Sequence, residues 1–429
     1  MAVRGLTSQE SRRNFVLGVG DGALWRIWFV LTDPTIVLTW FLSQLTSSPI
    51  IAGLATPIRD IGALVPQLLV SDVTQRMPRK MRMYRITAAM RAVSWILATV
   101  AVFVLGSGNP TVLLVAFLTL YSIKMVAMGM SIPAWMDIVA GGIPGDRRGA
   151  WASARDVIGG VLGIGASVAA RFILDERSGL RFPYNFGVLF AVAGVPLLAA
   201  YLVFSNMVEV PAQPTQRAGS SHPGVVKPMD VLRDRNYVWY ILARLALQAT
   251  LAAVPFYTLY AKTRLGAPTA MVGVYTAVMT VATMASSVLW GRLCDRHGNR
   301  LVMLWVAILT VLMTAWPLAL GPRVSYAAFT VQFFLVGVVQ AGTMLVRMTF
   351  VMDLAPPTAR VVYAGVVNTA AGLVSILSMG AGWVVQKWGA ESLFALCLAV
   401  SVVAPFLVVR IWDPRVRRAK CDGANGATS

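Results

Sequence analysis

The sequence predicts an all-α polytopic membrane protein: twelve transmembrane helices forming two six-helix bundles related by a pseudo-twofold axis. Three observations carry this reading. The 429 residues are 57% hydrophobic and only 13% charged, whereas a soluble chain carries about 25% charge. Apolar runs of roughly 20 residues, long enough to cross a hydrocarbon core of roughly 30 Å, recur along the whole chain. Two stretches resemble each other at an offset near 220 residues. Backbone in lipid must satisfy its own hydrogen bonds, so the runs should be helices. The dyad alternation of a β-barrel is absent.

The first six spans are expected near 14–38, 49–70, 83–106, 110–137, 149–173 and 183–206. The second six fall near 235–261, 268–291, 300–320, 325–352, 361–385 and 391–412. The first, fourth and tenth are long, which fits tilt or extension beyond the bilayer. Residues 1–13 form a polar N-terminus. No small-residue cleavage site follows the first run, which is read as a retained span and not a signal peptide. The two bundles are thus 14–206 and 235–412. A linker, 207–234, joins them, with PAQPTQRAGSSHPG near its start. Residues 413–429 form a basic tail.

The formal net charge of +19 would by itself suit nucleic acid or an anionic surface. Its distribution argues for topology. Arg76, Arg79, Lys80, Arg82, Arg147, Arg148, Arg292, Arg296 and Arg300 gather in the even-numbered connections, and the tail adds four more cations. Connections of the opposite set are poorer in Lys and Arg. By the positive-inside rule both termini lie on the cytoplasmic side of an inner membrane, which requires an even number of spans. Three cysteines and two histidines offer neither a disulfide framework nor metal-ligand spacing, so no metal and no cofactor is expected.

The repeat is local as well as global. Arg13-Asn14-Phe15-Val16 opens the first span and Arg235-Asn236-Tyr237-Val238 the seventh. Gly53 matches Gly273, and Met136-Asp137 and Met352-Asp353 close the fourth span of each half. Parallel repeats of this kind imply a substrate path between the halves. The loop after the second span reads SDVTQRMPRK in the first half and GRLCDRHGNR, residues 291–300, in the second. The latter closely resembles the Gly-x-Leu-x-Asp-Arg-x-Gly-x-Arg loop of the major facilitator superfamily, in the same place between two helices. With span number, sidedness and linker, the resemblance covers residues 14–412.

The resemblance implies a cytoplasmic latch favouring the outward-open state, built on Gly291, Asp295, Arg296, Gly298 and Arg300. Gly291 would permit close helix approach and Gly298 a tight turn. Asp295 would meet the N-terminal end of the eleventh helix. The first half keeps Arg76, Arg79 and Lys80 but has Ser71, Gln75 and Pro78 where the motif has glycine, acid and glycine, so the second half is expected to contribute more. Leu120-Tyr121-Ser122-Ile123-Lys124 resembles the family pattern Leu-x-x-x-Arg, whose basic residue serves proton transfer. The glycine-proline signature of many antiporters is missing from the fifth span, where Gly159, Gly160, Gly163 and Gly165 occur without proline.

Ionisable groups inside a membrane are costly and mark functional sites. With a rise of about 1.5 Å per residue, Asp21 lies about 10 Å and Arg26 about 18 Å from the inner end of the first span. Arg59 and Asp60 lie about 15 Å into the second from outside, and Lys124 about 20 Å into the fourth. First and fourth helices line the cavity in the family, so Asp21 is expected to face Lys124, and Arg26 to pair with Asp60. These pairs either neutralise buried charge or couple transport to protons. A carboxylate in a low dielectric favours its protonated form and a nearby cation the ionised one. Arg155 and Asp156 are assigned to the cytoplasmic gate. Trp25, Tyr121, Arg244, Phe256, Gln340 and Asn368 are candidate cavity residues, with neutral Gln340 matching Lys124 in the repeat. Gly372, Gly380 and Gly382 join Gly159 and Gly163 as expected close-packing positions.

Enzyme readings fare poorly. Gly18-Val19-Gly20-Asp21 spells the Gly-x-Gly-Asp of intramembrane aspartyl proteases, but those need a second carboxylate from a preceding helix, and no helix precedes Asp21. No His-Glu-x-x-His or phosphate-binding loop occurs. The expectation is a monomeric secondary transporter, with a small organic solute and protons as partners and no nucleic acid. Export by proton antiport is the first reading, import the alternative, and a non-transporting sensor the competing class.

Overall fold

The computed structural model describes residues 6–77, 79–210, 228–355, 360–377 and 379–412. They are helical almost throughout. In the first half the long helices are α1 (Ser8–Leu31), α4 (Ala55–Arg76), α5 (Met81–Leu105), α6 (Pro110–Gly142), α7 (Arg148–Leu174) and α8 (Tyr184–Ser205), with short α2 (Val37–Leu45) and α3 (Pro49–Ala52) between α1 and α4. The second half holds α9 (Pro228–Val231), α10 (Arg235–Thr250), α11 (Val254–Thr263), α12 (Met271–His297), α13 (Asn299–Leu320), α14 (Thr330–Leu354), α15 (Arg360–Leu377), α16 (Gly380–Trp388) and α17 (Ala390–Val409). Most of the expected linker, 211–227, and the tail, 413–429, lie outside the described residues.

Among the described residues ten helical spans are long and apolar enough to cross a membrane. The expected first and second spans are not among them, because α1 and α4 carry Asp21, Arg26, Arg59 and Asp60. The expected first span is also broken. Asp33 Oδ1 accepts the backbone N–H groups of Thr35 at 2.8 Å and Ile36 at 3.0 Å, and Pro34 cannot continue a helix, so α1 stops and α2 begins afresh. The expected seventh span breaks at the corresponding point, where a short 3-10 turn, Leu251–Ala253, precedes Pro255 near the start of α11. The expected eleventh is described as α15 and α16, and residue 378 between them lies outside the described residues.

Caps fix several starts. Thr7 and Glu10 form a capping box on α1, Asn109 caps α6 ahead of Pro110, and Asp234 accepts from Asn236 and Tyr237 at the start of α10.

The chain divides into two compact units. One comprises Met1–Ser220 with Gly266–Thr280, the other Ser221–Leu265 with Val281–Ser429. Each contains one copy of the same tie. Asn14 is fully buried; its Oδ1 accepts from the Val208 N–H at 2.8 Å and its Nδ2 donates to the Val208 carbonyl at 2.9 Å. Asn236 holds Trp412 in the same two-way grip, at 2.7 and 3.1 Å. The start of the first helix of each bundle is thereby tied to the chain leaving its last. A basic residue near the start of the third span also repeats: Arg85 donates to the Ser205 carbonyl at 2.8 Å and Arg300 to that of Val409 at 2.7 Å, satisfying helix C-terminal acceptors.

Removing the buried tie has a readable cost. Asn14→Ala deletes hydrogen bonds to Val208 and Gly142 and leaves their backbone groups orphaned. At about 1 kcal/mol per lost bond, more where a group stays buried, the cost is about 2–3 kcal/mol. Asn236→Ala, at a half-buried site, should cost less. Melting curves of the two purified variants check the order.

Candidate functional site

The first unit is organised by a seam between α1 and α7. Gly18 faces Trp151, with a Cβ there falling 2.6 Å from the indole nitrogen. Gly22 faces Arg155, at 1.9 Å from Nε. On the other helix Gly159 faces Arg26 at 3.0 Å, and Gly163 faces Val30 at 3.2 Å. The series 18, 22, 26, 30 thus meets 151, 155, 159, 163, one helical turn per step. Glycine on either helix makes room for an arginine of the other. Small residues at this spacing let backbones approach closely. Gly159 and Gly163 therefore pack as expected, while a Cβ at Gly380 would meet nothing within 4 Å.

The seam delivers Arg155 to Asp21. The closest approach is 3.9 Å, Nη2 to Oδ2, and Asp21 is buried. The guanidinium also lies 5.0 Å from the Trp135 ring centre and 5.4 Å from Trp151. The Trp135 indole reaches the same carboxylate. Arg155 is therefore part of the buried cluster and not only of an outer gate. Among the described residues the charged groups that act on Asp21 are the cations Arg155 and Arg91. The other buried carboxylate of α1's end, Asp33, is occupied by the turn that breaks the first span.

Lys124 is buried but does not pair with Asp21 as expected. Its Nζ sits 3.5 Å from the ring centre of Trp28, with Trp95 at 5.8 Å. Among the described residues no carboxylate forms an ion pair with it. Ring faces offer a cation part of what water would. The neighbour that sequence reasoning missed is Arg91 of α5. It is 5% exposed and lies 4.2 Å from the Tyr201 ring centre and 5.4 Å from that of Tyr84. Its Nε and Nη2 have no hydrogen-bond partner among the described residues. Its field reaches both Asp21 and Lys124. The signal was present as a lone arginine inside an apolar run.

The second expected pair also differs. Asp60 pairs with its neighbour Arg59, at 2.8 Å to Nη2 and 2.9 Å to Nε, instead of with Arg26. Arg26 lies against α7, within electrostatic reach of Asp156 and Asp33. Asp156 itself is exposed. Of the candidate cavity residues in this unit, Trp25 is half-buried and stacks on Phe29 at 5.2 Å. Tyr121 is buried and donates to the Ala55 carbonyl at 3.4 Å.

In the second unit Arg244 is 3% exposed and Phe256 is buried. Gln340 is half-buried and Asn368 exposed. Arg244 Nη1 donates to Gln248 Oε1 at 3.1 Å, and Gln248 Nε2 to Ser375 Oγ at 3.1 Å.

Comparisons with known proteins place this geometry. Residues 246–428 match the family model described as Major Facilitator Superfamily. The whole chain shares its fold with solved transporters. A mutant form of the nucleoside transporter NupG aligns with TM-score 0.70 at 15% identity, covering 94% of this chain and 100% of that one. A D-xylose-proton symporter aligns with TM-score 0.69 at 16% identity, covering 93% and 97%. A bacterial homologue of the iron transporter ferroportin gives TM-score 0.57 at 14% identity, covering 95% and 99%. The family match thus covers the second half of the chain, and the likeness to solved transporters runs through both halves at the level of fold. No curated protein sequence matches it. Its fold is that of these solved membrane transporters.

The loop at 291–300, which resembles the superfamily motif, places its residues as follows. Gly298 has φ +85° and starts α13, a conformation that favours glycine. At Gly291 a Cβ would meet nothing within 4 Å among the described residues, so the expected close helix approach is not seen there. Asp295 and Arg296 are exposed. The expected contact of Asp295 with the start of the eleventh helix lies outside the described residues, as do Pro78 and the side chains of Ser71, Gln75 and Arg76. Arg79 is exposed.

Both units tie the start of the third span of their half to the end of the fourth. Lys80 Nζ pairs with Asp137, and Glu209 accepts from the backbone N–H groups of Lys80 and Met81. In the second bundle Asn299 Nδ2 donates to Asp353 Oδ2 at 2.7 Å. The charged version of this tie belongs to the first half, although the motif is better preserved in the second.

Proposed function

We propose that this chain is a proton-coupled secondary transporter that moves a small organic solute by alternating access of its two bundles, in the direction of export. One observation carries the reading: a buried carboxylate, Asp21, held at 3.9 Å from Arg155 in a bundle that also buries Arg91 and Lys124. A charged side chain inside a membrane protein is retained at a cost, and its usual use is a relay or an exchangeable pair. The three cations sit largely on aromatic rings, so each can approach or leave the carboxylate without breaking a dense hydrogen-bond network. Asp21 can then gain a proton when Arg155 moves away and lose it when a cation returns. Arg155 stands on α7, so movement of α7 along the glycine seam would link the pair to conformation.

The basic connections support an inner-membrane location with cytoplasmic termini, and a monomer suffices for this scheme. One protein sharing the fold is named a proton symporter, and that keeps proton-coupled import as the second reading of direction.

The test is flux in proteoliposomes under an imposed pH gradient, across a broad panel of metabolites and drugs. Uphill solute movement that collapses when the gradient is dissipated supports the proposal. Binding with no flux in any condition sinks it in favour of a sensor.

A further inference from the structure

The two units handle buried charge differently. In the first, Arg155 has Asp21. In the second, Arg244 is 3% exposed, yet among the described residues no carboxylate pairs with it or with Arg347. Among those residues the side-chain acceptor bonded to Arg244 is the neutral amide of Gln248, at 3.1 Å. The charged group that acts on it is a further cation, Arg347 of α14. A buried guanidinium without a counter-charge carries a large desolvation cost that a neutral amide offsets only in part.

A second, independent feature lies beside it. Tyr240, one turn before Arg244 on α10, is fully buried, and its hydroxyl has no hydrogen-bond partner among the described residues. Both Arg244 and Arg347 act on that hydroxyl electrostatically. Buried hydroxyls are nearly always satisfied, so an orphan calls for an explanation. The ring is held in place by Phe350, at 5.1 Å edge to face. Gln248 is held from its far side by Ser375 of α15, at 3.1 Å. Three helices, α10, α14 and α15, thus surround a cation and an O–H donor that have no resident acceptor carrying charge among the described residues.

We propose that this is the anion subsite of the transported solute. The anionic oxygen group of an organic acid would accept from the Arg244 guanidinium and from Tyr240 Oη, with Arg347 adding attraction at longer range. Arginine suits planar, bidentate capture of such a group. The solute would supply the counter-charge that the second unit lacks. This inference rests on the transport reading, and it narrows the substrate class to organic anions.

The purified full-length chain in detergent tests it. Melting temperatures are measured with matched probes: a panel of aliphatic and aromatic carboxylates, each beside the neutral amide of the same skeleton. At least one carboxylate should stabilise the protein where its amide does not. Arg244→Gln should weaken that carboxylate by about tenfold or more, the value of a charged hydrogen bond. Tyr240→Phe should weaken it by less, and Arg244→Lys should retain part of the effect.

Amides that stabilise as well as their acids would overturn the proposal. So would a panel in which no acid stabilises, or acids that stabilise Arg244→Gln as well as the parent. Should Arg244→Gln prove too unstable to purify, Tyr240→Phe alone must still weaken the acid relative to its amide. Failure here is distinguishable from failure of proton coupling. Acid-specific binding with flux indifferent to pH removes only the coupling, whereas pH-driven flux restricted to neutral solutes removes only the anion subsite.

Discussion

Asp21→Asn should abolish solute flux driven by an imposed pH gradient while the protein still inserts and folds. Asparagine keeps the size of aspartate and the ability to accept from Trp135 or Arg155, but it cannot exchange a proton. A loss of at least about tenfold corresponds to about 1.4 kcal/mol withdrawn from the coupled step. Arg155 would remain against Trp135 and Trp151, at 5.0 and 5.4 Å, so the fold keeps most of its local contacts. Asp60→Asn is the informative comparison. Its carboxylate already takes two short contacts from Arg59, and both side chains are more than a quarter exposed, so solvent screens the pair. Asp60→Asn should therefore leave the pH-gradient response largely intact. Full activity in both variants would remove proton coupling through either residue. Loss in Asp60→Asn alone would move the site to α4.

The outline of the fold was legible because lipid imposes a one-dimensional rule: about twenty apolar residues make a span, whatever packs beside them. The internal repeat was legible for a similar reason. Asn14 and Asn236 stand in matched strings, and each grips the backbone beyond the last helix of its own bundle. The breaks in the first and seventh spans were written in Asp33-Pro34 and Pro255, but a hydropathy window averages over them.

The pairing of charges was much less legible. Depth along a helix is readable from residue number, and by depth Asp21 and Lys124 belonged together. Pairing depends also on rotation about each helix axis, which is set by packing. The α1–α7 seam turns Asp21 toward Arg155, and Lys124 meets Trp28 instead. Arg59 and Asp60, adjacent in sequence, satisfy each other because a long guanidinium can reach back across its own helix. Arg91 was overlooked although the rule that found Asp21 applies to it equally. What no single sequence shows is that two nitrogens of its guanidinium would find no hydrogen-bond partner among the described residues.

The seam makes the second strong prediction, at a residue with no functional group. Gly22→Ala places a methyl 1.9 Å from Arg155 Nε and 2.0 Å from Cγ, well inside the ordinary carbon contact distance of about 3.5–4.0 Å. The helices cannot part without opening the packing at Gly18, Gly159 and Gly163 as well, so the Arg155 side chain must leave. It would lose Asp21 and both indole faces together, and Asp21 would be left as a buried carboxylate without its nearest cation. Overpacking of this kind costs about 1–3 kcal/mol. Coupled flux should fall as far as in Asp21→Asn, although no ionisable group has been touched. Gly163→Ala is the matched control on the same seam, because its methyl would meet Val30 at 3.2 Å and a small shift of that side chain relieves it. The double variant Gly22→Ala, Arg155→Ala separates crowding from chemistry. Removing the long side chain should restore much of the lost melting temperature and none of the flux. Flux recovering along with stability would mean that Arg155 only fills space, and that the buried pair has no part in coupling.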